Sequence, residues 1–347
     1  MGEIVRVGLD IAKDVFQIHG VDVNGEVVSR RKLRRNELLA YFQKLDPCLI
    51  GIESCATSHH WARALEALGH HVKLIPVSFV KPFVKSQKND AADAEAICEA
   101  VGRPNMRFVA IKTEEQQAVL TIHRTRDLLT RQRTMLINAF RAHIAEYGQV
   151  ARLGRLGVDA LLEMVETDQA AFIPRAARGA LKVLAAQIRL LERKAKALET
   201  KIVSWHRSNP QSLRLATIPG IGVLTASALA ATIPDPSLFK SGRALSAWLG
   251  LVPRQYSSGG KTRLGSITKR GDRYIRKLLV VGARVVLSNY KSGRAKIPRS
   301  MAQIVTRKHF KVALVALANK TARIAWAVLV KNQVYQPPAT LVACPAA

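Results

Sequence analysis

Apolar and polar residues alternate from the start of the chain. Val5, Val7 and Leu9 interleave with Arg6 and Gly8, a two-residue period that predicts a strand. Residues 15–23 read as a second strand, Asn24-Gly25 as a hairpin turn, and residues 26–33 as a third strand. Asn36 is placed to cap a helix through Lys44, and Leu49–Glu53 is a short apolar run that predicts a buried strand. Thr57 or Ser58 can cap a helix reaching Leu68, and residues 72–75 predict one more strand. Hairpin-linked strands followed by alternating helices and strands predict a mixed sheet with helices on its faces.

The period then becomes helical. Residues 105–147 contain neither Gly nor Pro, and from Lys112 they predict one long, arginine-rich helix. Within residues 180–209, Leu181, Leu184, Ile188, Leu191, Ala195, Leu198, Ile202 and Trp205 alternate three and four apart. That seam predicts a coiled coil or a long helical hairpin and leaves open which chain supplies the partner. Pro210 ends the pattern. Residues 211–335 read as a second compact region, which includes the helical run Val223–Thr232. The tail from Gln336 is rich in Pro and Ala and is expected to fray. The expected divisions are 1–104, 105–209, 210–335 and the tail 336–347.

Composition narrows the partner. With 347 residues and 48% hydrophobic content the chain can bury real cores, which excludes wholesale disorder. Lys and Arg total 54 against 25 Asp and Glu, a formal net charge of +29. The imbalance points to a polyanion, and to nucleic acid before membrane because the basic residues are spread along the chain. Residues 261–308 hold fourteen basic residues and a single acid, Asp272. A merely solvated face mixes signs, so this block reads as a phosphate-tracking surface. Tyr256, Tyr274 and Tyr290 can stack on bases or pack in a core. Cys48, Cys55, Cys98 and Cys344 form no C-x-x-C pair, which argues against a zinc site or a disulfide framework and fits a reducing interior. The first residues lack a signal pattern, and residues 312–330 carry Lys320 and Arg323, too polar for a spanning helix. A cytoplasmic protein without a membrane partner is expected. His59-His60 and His70-His71 are adjacent pairs without ligand spacing and read as surface or packing residues.

Three constellations carry chemistry. Asp10 and Glu53 close two apolar runs, and Asp90 and Asp93 lie three apart on one helical face. Close carboxylates repel, and a hard divalent cation such as Mg²⁺ removes that penalty while polarising a phosphodiester. Each acid alone reads equally well as a strand end or a helix cap. Pro219-Gly220-Ile221-Gly222 between two helical segments resembles a helix-hairpin-helix, in which Gly220 and Gly222 let backbone N–H groups approach a phosphate; an ordinary helix turn is the other reading. The loop Tyr256-Ser257-Ser258-Gly259-Gly260-Lys261 sets two hydroxyls beside Arg254, Lys261 and Arg263. It reads as a phosphate-contacting loop or as the site of an activated serine.

Several blocks in order resemble one family. Val7-Gly8-Leu9-Asp10-Ile11-Ala12-Lys13-Asp14, Gly51-Ile52-Glu53-Ser54 and Lys88-Asn89-Asp90-Ala91-Ala92-Asp93-Ala94 are similar to the RuvC-like half of the DEDD transposases of the insertion-sequence one-ten family, the bridge recombinases. Ile218-Pro219-Gly220-Ile221-Gly222, Gly250-Leu251-Val252-Pro253, Ser257-Ser258-Gly259-Gly260-Lys261 and Gly265-Ser266-Ile267-Thr268-Lys269-Arg270-Gly271-Asp272 are similar to its C-terminal half. The resemblance implies an α/β RNase H-like (RuvC-like) domain, a long helical coiled-coil middle, and a mainly α C-terminal domain with a helix-hairpin-helix. It implies Mg²⁺ on Asp10, Glu53, Asp90 and Asp93, and a serine that forms a covalent link to DNA. The serine before the glycine is Ser258, with Ser257 as the alternative. It further implies donor and target DNA, a structured non-coding guide RNA, and a nucleoid-associated bacterial tetramer in which one subunit's acids complete another's serine site. Gly220, Gly222, Arg254, Lys261, Arg263, Lys269, Arg270 and Arg273 are the nucleic-acid contacts expected. Asn89 stands where the family pattern suggests Thr. A hydrolytic RuvC-type nuclease, such as a Holliday-junction resolvase, is the rival reading.

Overall fold

The computed structural model describes residues 3–84, 89–167, 169 and 171–344. Lys88 of the Lys88–Ala94 block and the last three residues of the tail lie outside them. Contacts divide the chain into Met1–Thr113 with Ile233–Lys240, and Glu114–Thr232 with Ser241–Ala347. The helical middle and the C-terminal half therefore share one unit.

The first unit is a mixed five-stranded sheet in the order β3-β2-β1-β4-β5. β1 (Arg6–Ile11), β2 (Val15–Val21) and β3 (Val27–Arg34) run antiparallel as two hairpins. β4 (Leu49–Glu53) and β5 (His71–Ile75) run parallel to β1, which requires the crossovers that α1 (Leu38–Phe42) and α2 (Ser58–Glu66) provide. α3 (Val77–Val80) and α4 (Asp90–Val101) follow. One sheet face presents Val7, Leu9, Ile11, Phe16 and Ile18 to Leu38, Phe42, Trp61 and Leu65. The other packs Ile75 against Ile97, Ala100 and Val101. α1 begins one residue later than expected and is not capped by Asn36. The Glu37 carboxylate accepts from the Arg34 amide at 2.7 Å and closes a turn there instead.

The second unit opens with α5 (Glu114–Ala145), α6 (Arg155–Glu166) and α7 (Arg175–Ser208). Arg126 pairs with Glu199 and Arg133 with Glu192, so α5 and α7 run antiparallel. The partner of the predicted seam is thus this chain's own α5. Leu181, Ile188, Ala195 and Ile202 are buried, whereas Leu184, Leu191, Leu198 and Trp205 are only half-buried. α6 was not foreseen, because Gly154 and Gly157 interrupt its pattern. It covers one end of the hairpin, packing Leu161, Leu162 and Val165 on Phe140, Ile144 and Leu181.

Asn209 ends α7 and caps α8 (Pro210–Ala216), with Pro210 in the first turn, where its missing N–H costs nothing. α9 (Val223–Thr232) and α10 (Gly242–Trp248) lead into a hairpin of β6 (Pro253–Gln255) and β7 (Leu264–Ile267). α11 (Arg273–Lys291), β8 (Ile297–Pro298), α12 (Arg299–Arg307), α13 (Phe310–Lys331) and β9 (Leu341–Val342) complete the unit. α13 is long and apolar enough to cross a membrane by length and composition, at mean hydropathy 1.4. Its Ala313, Leu317, Ala318, Ala322 and Ala325 are buried in the unit, as in a core helix. The tail does not simply fray: Val342 pairs with Ile297, and the Tyr290 hydroxyl donates to the Ala343 carbonyl at 3.5 Å.

Candidate functional site

The acidic site is built by two glycines. In a strand, alternate residues share a face, so Gly8 and Asp10 lie on one side of β1. Gly8 pairs with Gly51 and Leu9 with Ile52 in parallel register, which brings Asp10 and Glu53 out on the same face of neighbouring strands. Without side chains at 8 and 51, α4 lies directly on the sheet. A Cβ on Gly8 would stand 2.0 Å from the Ala94 carbonyl oxygen, and one on Gly51 would stand 2.8 Å from Val101 Cβ. This seat carries the first turn of α4 to Asp10.

Asp10, Asp90 and Asp93 then each offer an oxygen within 4.8 Å of the others. Asp10 and Asp93 are half-buried and Asp90 is exposed. All three donors are hard oxygens, the ligand type of Mg²⁺ or Mn²⁺, so the set fits a divalent cation. Asp90 and Asp93 also suit a helix N-terminus on electrostatic grounds alone. Glu53 stands outside the 4.8 Å group, yet it belongs to the same patch. Burial, with the negative charges of Glu53 and Asp10 acting in the same direction, raises the Cys55 thiol to about 11. Asn89, the departure from the expected Thr, caps α4 by accepting from the Ala92 amide at 2.7 Å. Asn is as good a cap as Thr, so the substitution keeps the acids in place.

The serine loop is the tip of the β6–β7 hairpin. Ser258 and Lys261 pair across a two-glycine turn, with φ of 56° at Gly259 and 74° at Gly260. Two successive positive φ values define the type I′ turn that closes two-residue hairpins. The two hydroxyls differ. Ser257 Oγ accepts from the Arg263 amide at 3.2 Å and from the Gln255 side-chain amide at 3.0 Å. Ser258 Oγ makes no hydrogen bond among the described residues and is exposed. Arg254, Lys261, Arg263, Lys269, Arg270 and Arg273 are exposed too.

The base of the hairpin is fixed to α11. Lys269 N donates to Gly250 O at 3.1 Å, and Arg276 Nη1 donates to the carbonyls of Leu249 and Arg270, each at 2.9 Å. Arg276 therefore belongs to the scaffold rather than to the open basic surface. Sequence reasoning also missed His123. It is fully buried, facing the Tyr274 hydroxyl at 3.0 Å and Ser227 Oγ at 3.1 Å. Ser227 donates to Val223 O at 2.6 Å, so it accepts from His123 Nε2–H, and Tyr274 donates to Nδ1. Burial, aided by the Arg126 charge, lowers His123 to about 4, and burial raises Tyr274 to about 12. Of the three tyrosines, Tyr290 is buried, Tyr274 is held by His123, and Tyr256 is exposed.

Gly220 and Gly222 divide in role. The turn between α8 and α9 closes with Ile221 N donating to Ile218 O at 2.9 Å. Gly220 meets Gly282 of α11 so closely that a Cβ on Gly282 would lie 1.8 Å from the Gly220 carbonyl oxygen. Nothing lies within 4 Å of a Cβ on Gly222. Gly220 thus serves helix packing, and Gly222 faces open space.

Two comparisons bear on these features. The family profile described as "Transposase IS116/IS110/IS902 family" matches residues 212–297, and one described as "Transposase", for the DEDD type of IS110, matches residues 7–149. The chain is 46% identical over 333 residues to a Pseudomonas aeruginosa protein named "Probable family 20 transposase", covering 96% of this chain and 98% of the relative. It is 40% identical over 337 residues to a Yersinia enterocolitica protein named "Transposase for insertion sequence element IS1328", covering 96% and 99%.

Proposed function

This chain belongs to the IS116/IS110/IS902 family of transposases, and from that premise we propose that it moves a DNA element by strand cleavage and transfer through Ser258. The observation that supports this most is the open Ser258 hydroxyl on a turn ringed by cations, beside a Ser257 already engaged. Ser258 Oγ attacks the phosphorus and loses its proton to solvent, the bond from phosphorus to one strand end breaks, and the departing oxygen takes up a proton to become a free hydroxyl. The phosphoserine link retains the phosphodiester energy, so a second hydroxyl can displace the serine and rejoin the strand without ATP. Arg254, Lys261 and Arg263 hold the phosphate and neutralise charge as it develops. Asp10, Glu53, Asp90 and Asp93 hold Mg²⁺, which when bound supplies Lewis-acid polarisation of a phosphate oxygen.

The +29 charge supports a guide RNA alongside donor and target DNA. The half-buried Leu191 and Leu198, one heptad apart on α7, support pairing of copies into a tetramer, with acids and serine supplied by different subunits. The deciding experiment mixes labelled element-end DNA with wild type, Ser258→Ala and Ser257→Ala and denatures the products. Wild type and Ser257→Ala give a protein–DNA adduct and Ser258→Ala gives none. An adduct at wild-type level from Ser258→Ala overturns the assignment. Free ends with no adduct from any of the three indicate hydrolysis by a RuvC-type nuclease.

A further inference from the structure

The edge strand β3 carries a run of charge that the proposed chemistry does not use. Its sequence ends Arg30-Arg31-Lys32-Leu33-Arg34, and Arg35 follows. The register sorts these side chains by face. Arg31 pairs with Ile18 and Leu33 with Phe16, both core residues, and Leu33 packs against that core. The Arg31 guanidinium lies over the Tyr41 ring, and that of Arg35 over Trp61. Arg30, Lys32 and Arg34 therefore rise from the opposite face, and all three are exposed. Among the described residues none of them forms an ion pair.

That opposite face is the one bearing the acids. Lys32 pairs with Gln17, and Gln17 pairs with Asp10, so the three form one row across β3, β2 and β1. Arg30, His19 and Gly8 form the next row. Two strand spacings of about 4.8 Å put the Lys32 backbone roughly 10 Å from that of Asp10. Along β3 the three cations repeat every ~6.8 Å. That spacing lets neighbouring cations contact separate phosphates of one strand.

We propose that Arg30, Lys32 and Arg34 are a backbone rail that holds the DNA strand in line with the acidic cluster. The inference rests on the reading of that cluster as the place where DNA is cut. Lys32 lies in the row of Asp10, so a duplex seated at the cluster and extending over β2 and β3 comes within side-chain reach of these cations, and the strand cut there is DNA rather than RNA. The contacts are ionic and reach phosphates rather than base edges, so the rail positions without reading sequence.

The test is the salt dependence of DNA binding by the full chain carrying Arg30→Gln, Lys32→Gln and Arg34→Gln together. Each lost phosphate contact on duplex DNA removes about 0.9 from the slope of log affinity against log salt, so the triple variant is expected to lose between about 2 and 3. The KM for cleavage of labelled element-end DNA rises, while binding of Mn²⁺ alone, read without DNA, stays at wild-type strength. Arg31→Gln, on the opposite face, leaves the slope unchanged. An unchanged slope in the triple variant overturns the rail. So does an equal loss from Arg31→Gln, or a loss of affinity for RNA with DNA binding intact. Failure of the cutting site itself shows separately, as Asp10→Asn that still cleaves at wild-type rate.

Discussion

Gly8→Ala tests whether the seat of α4 on the sheet assembles the acidic site. The added methyl would meet the Ala94 carbonyl oxygen at 2.0 Å, the Cys98 amide nitrogen at 2.4 Å and Cys98 Cβ at 2.8 Å. Ordinary contact begins near 3.4 Å, so the helix must retreat by about 1.4 Å at that point. The two closest atoms are backbone, and no rotamer change relieves them. Overpacking of this kind costs about 1–3 kcal/mol, which leaves the protein folded but less stable. The functional cost is larger, because Asp90 and Asp93 ride on the displaced helix while Asp10 stays on the strand. A misplacement of about 1 Å costs on the order of 100-fold in rate where geometry is critical. DNA cleavage is therefore expected to fall about 100-fold, with weaker Mn²⁺ binding and a modestly lower Tm. Gly51→Ala is the comparison: its methyl meets the side chains of Val101 and Ile97 at 2.8 and 3.1 Å, at the far end of α4, so both losses are smaller. Gly8→Ala with wild-type cleavage and Mn²⁺ affinity would refute the reasoning.

Four further outcomes follow from the second unit. His123 has its folded pKa lowered to about 4 from 6.5, so the unfolded chain binds more protons between those values and stability falls as pH drops through that window. The expected loss at pH 5 relative to pH 7 is about 2 kcal/mol. In urea unfolding at the two pH values, that loss is read as the difference between wild type and His123→Gln; equal pH dependence in both contradicts it. Gly282→Ala forces a methyl to within 1.8 Å of the Gly220 carbonyl and is expected to cost about 1–3 kcal/mol in denaturant unfolding. Gly222→Ala leaves stability unchanged, and any loss of DNA affinity it causes in a filter-binding assay then reports a backbone contact with phosphate. Arg276→Ala frees the carbonyls of Leu249 and Arg270, so adduct formation should slow several-fold while far-UV circular dichroism is unchanged; full activity in this variant means the hairpin base does not need that anchor.

Much of the fold was legible because the period of apolar residues matches the local structure. Leu49–Glu53 and Val223–Thr232 form as expected, and the long helices differ only at their ends. The seam of α7 was visible, but its partner was not, since a heptad pattern is the same whichever chain supplies the facing helix. That answer lies in the complementary charges of Arg126 with Glu199 and Arg133 with Glu192, far apart in sequence. In the acidic site, Asp10, Asp90 and Asp93 could be picked out by spacing. The role of Gly8 could not, because a glycine in a strand carries no sign of the helix that lies on it. His123 sat in an arginine-rich helix with nothing nearby to mark it. Its partners Ser227 and Tyr274 are more than a hundred residues away.

Two left-handed residues lie close in sequence to the candidate sites. Among the described residues only Thr57, Lys269 and Asn332 are non-glycine residues with positive φ. Asn332 ends α13, a common place for that conformation. Thr57, at φ 70°, follows the turn that leaves Glu53, and Lys269, at φ 56°, lies at the base of the serine hairpin. Such backbone costs about 1–3 kcal/mol where nothing local demands it, and more readily so for a β-branched residue such as Thr57. The serine hairpin also has a chemical gap. Residues 253–267 contain cations and hydroxyls but no Asp, Glu or His, so the hairpin can grip a phosphate and cannot by itself take the proton from Ser258. A serine so placed is inert until an acceptor or a Lewis acid is brought to it. The Asp10, Asp90 and Asp93 group has the opposite composition, carboxylate oxygens that can accept a proton or hold a Lewis acid. Each half lacks what the other holds, which is why Ser258→Ala and Asp10→Asn should abolish the same adduct, and why mixing the two inactive variants should restore it if the halves come from different copies.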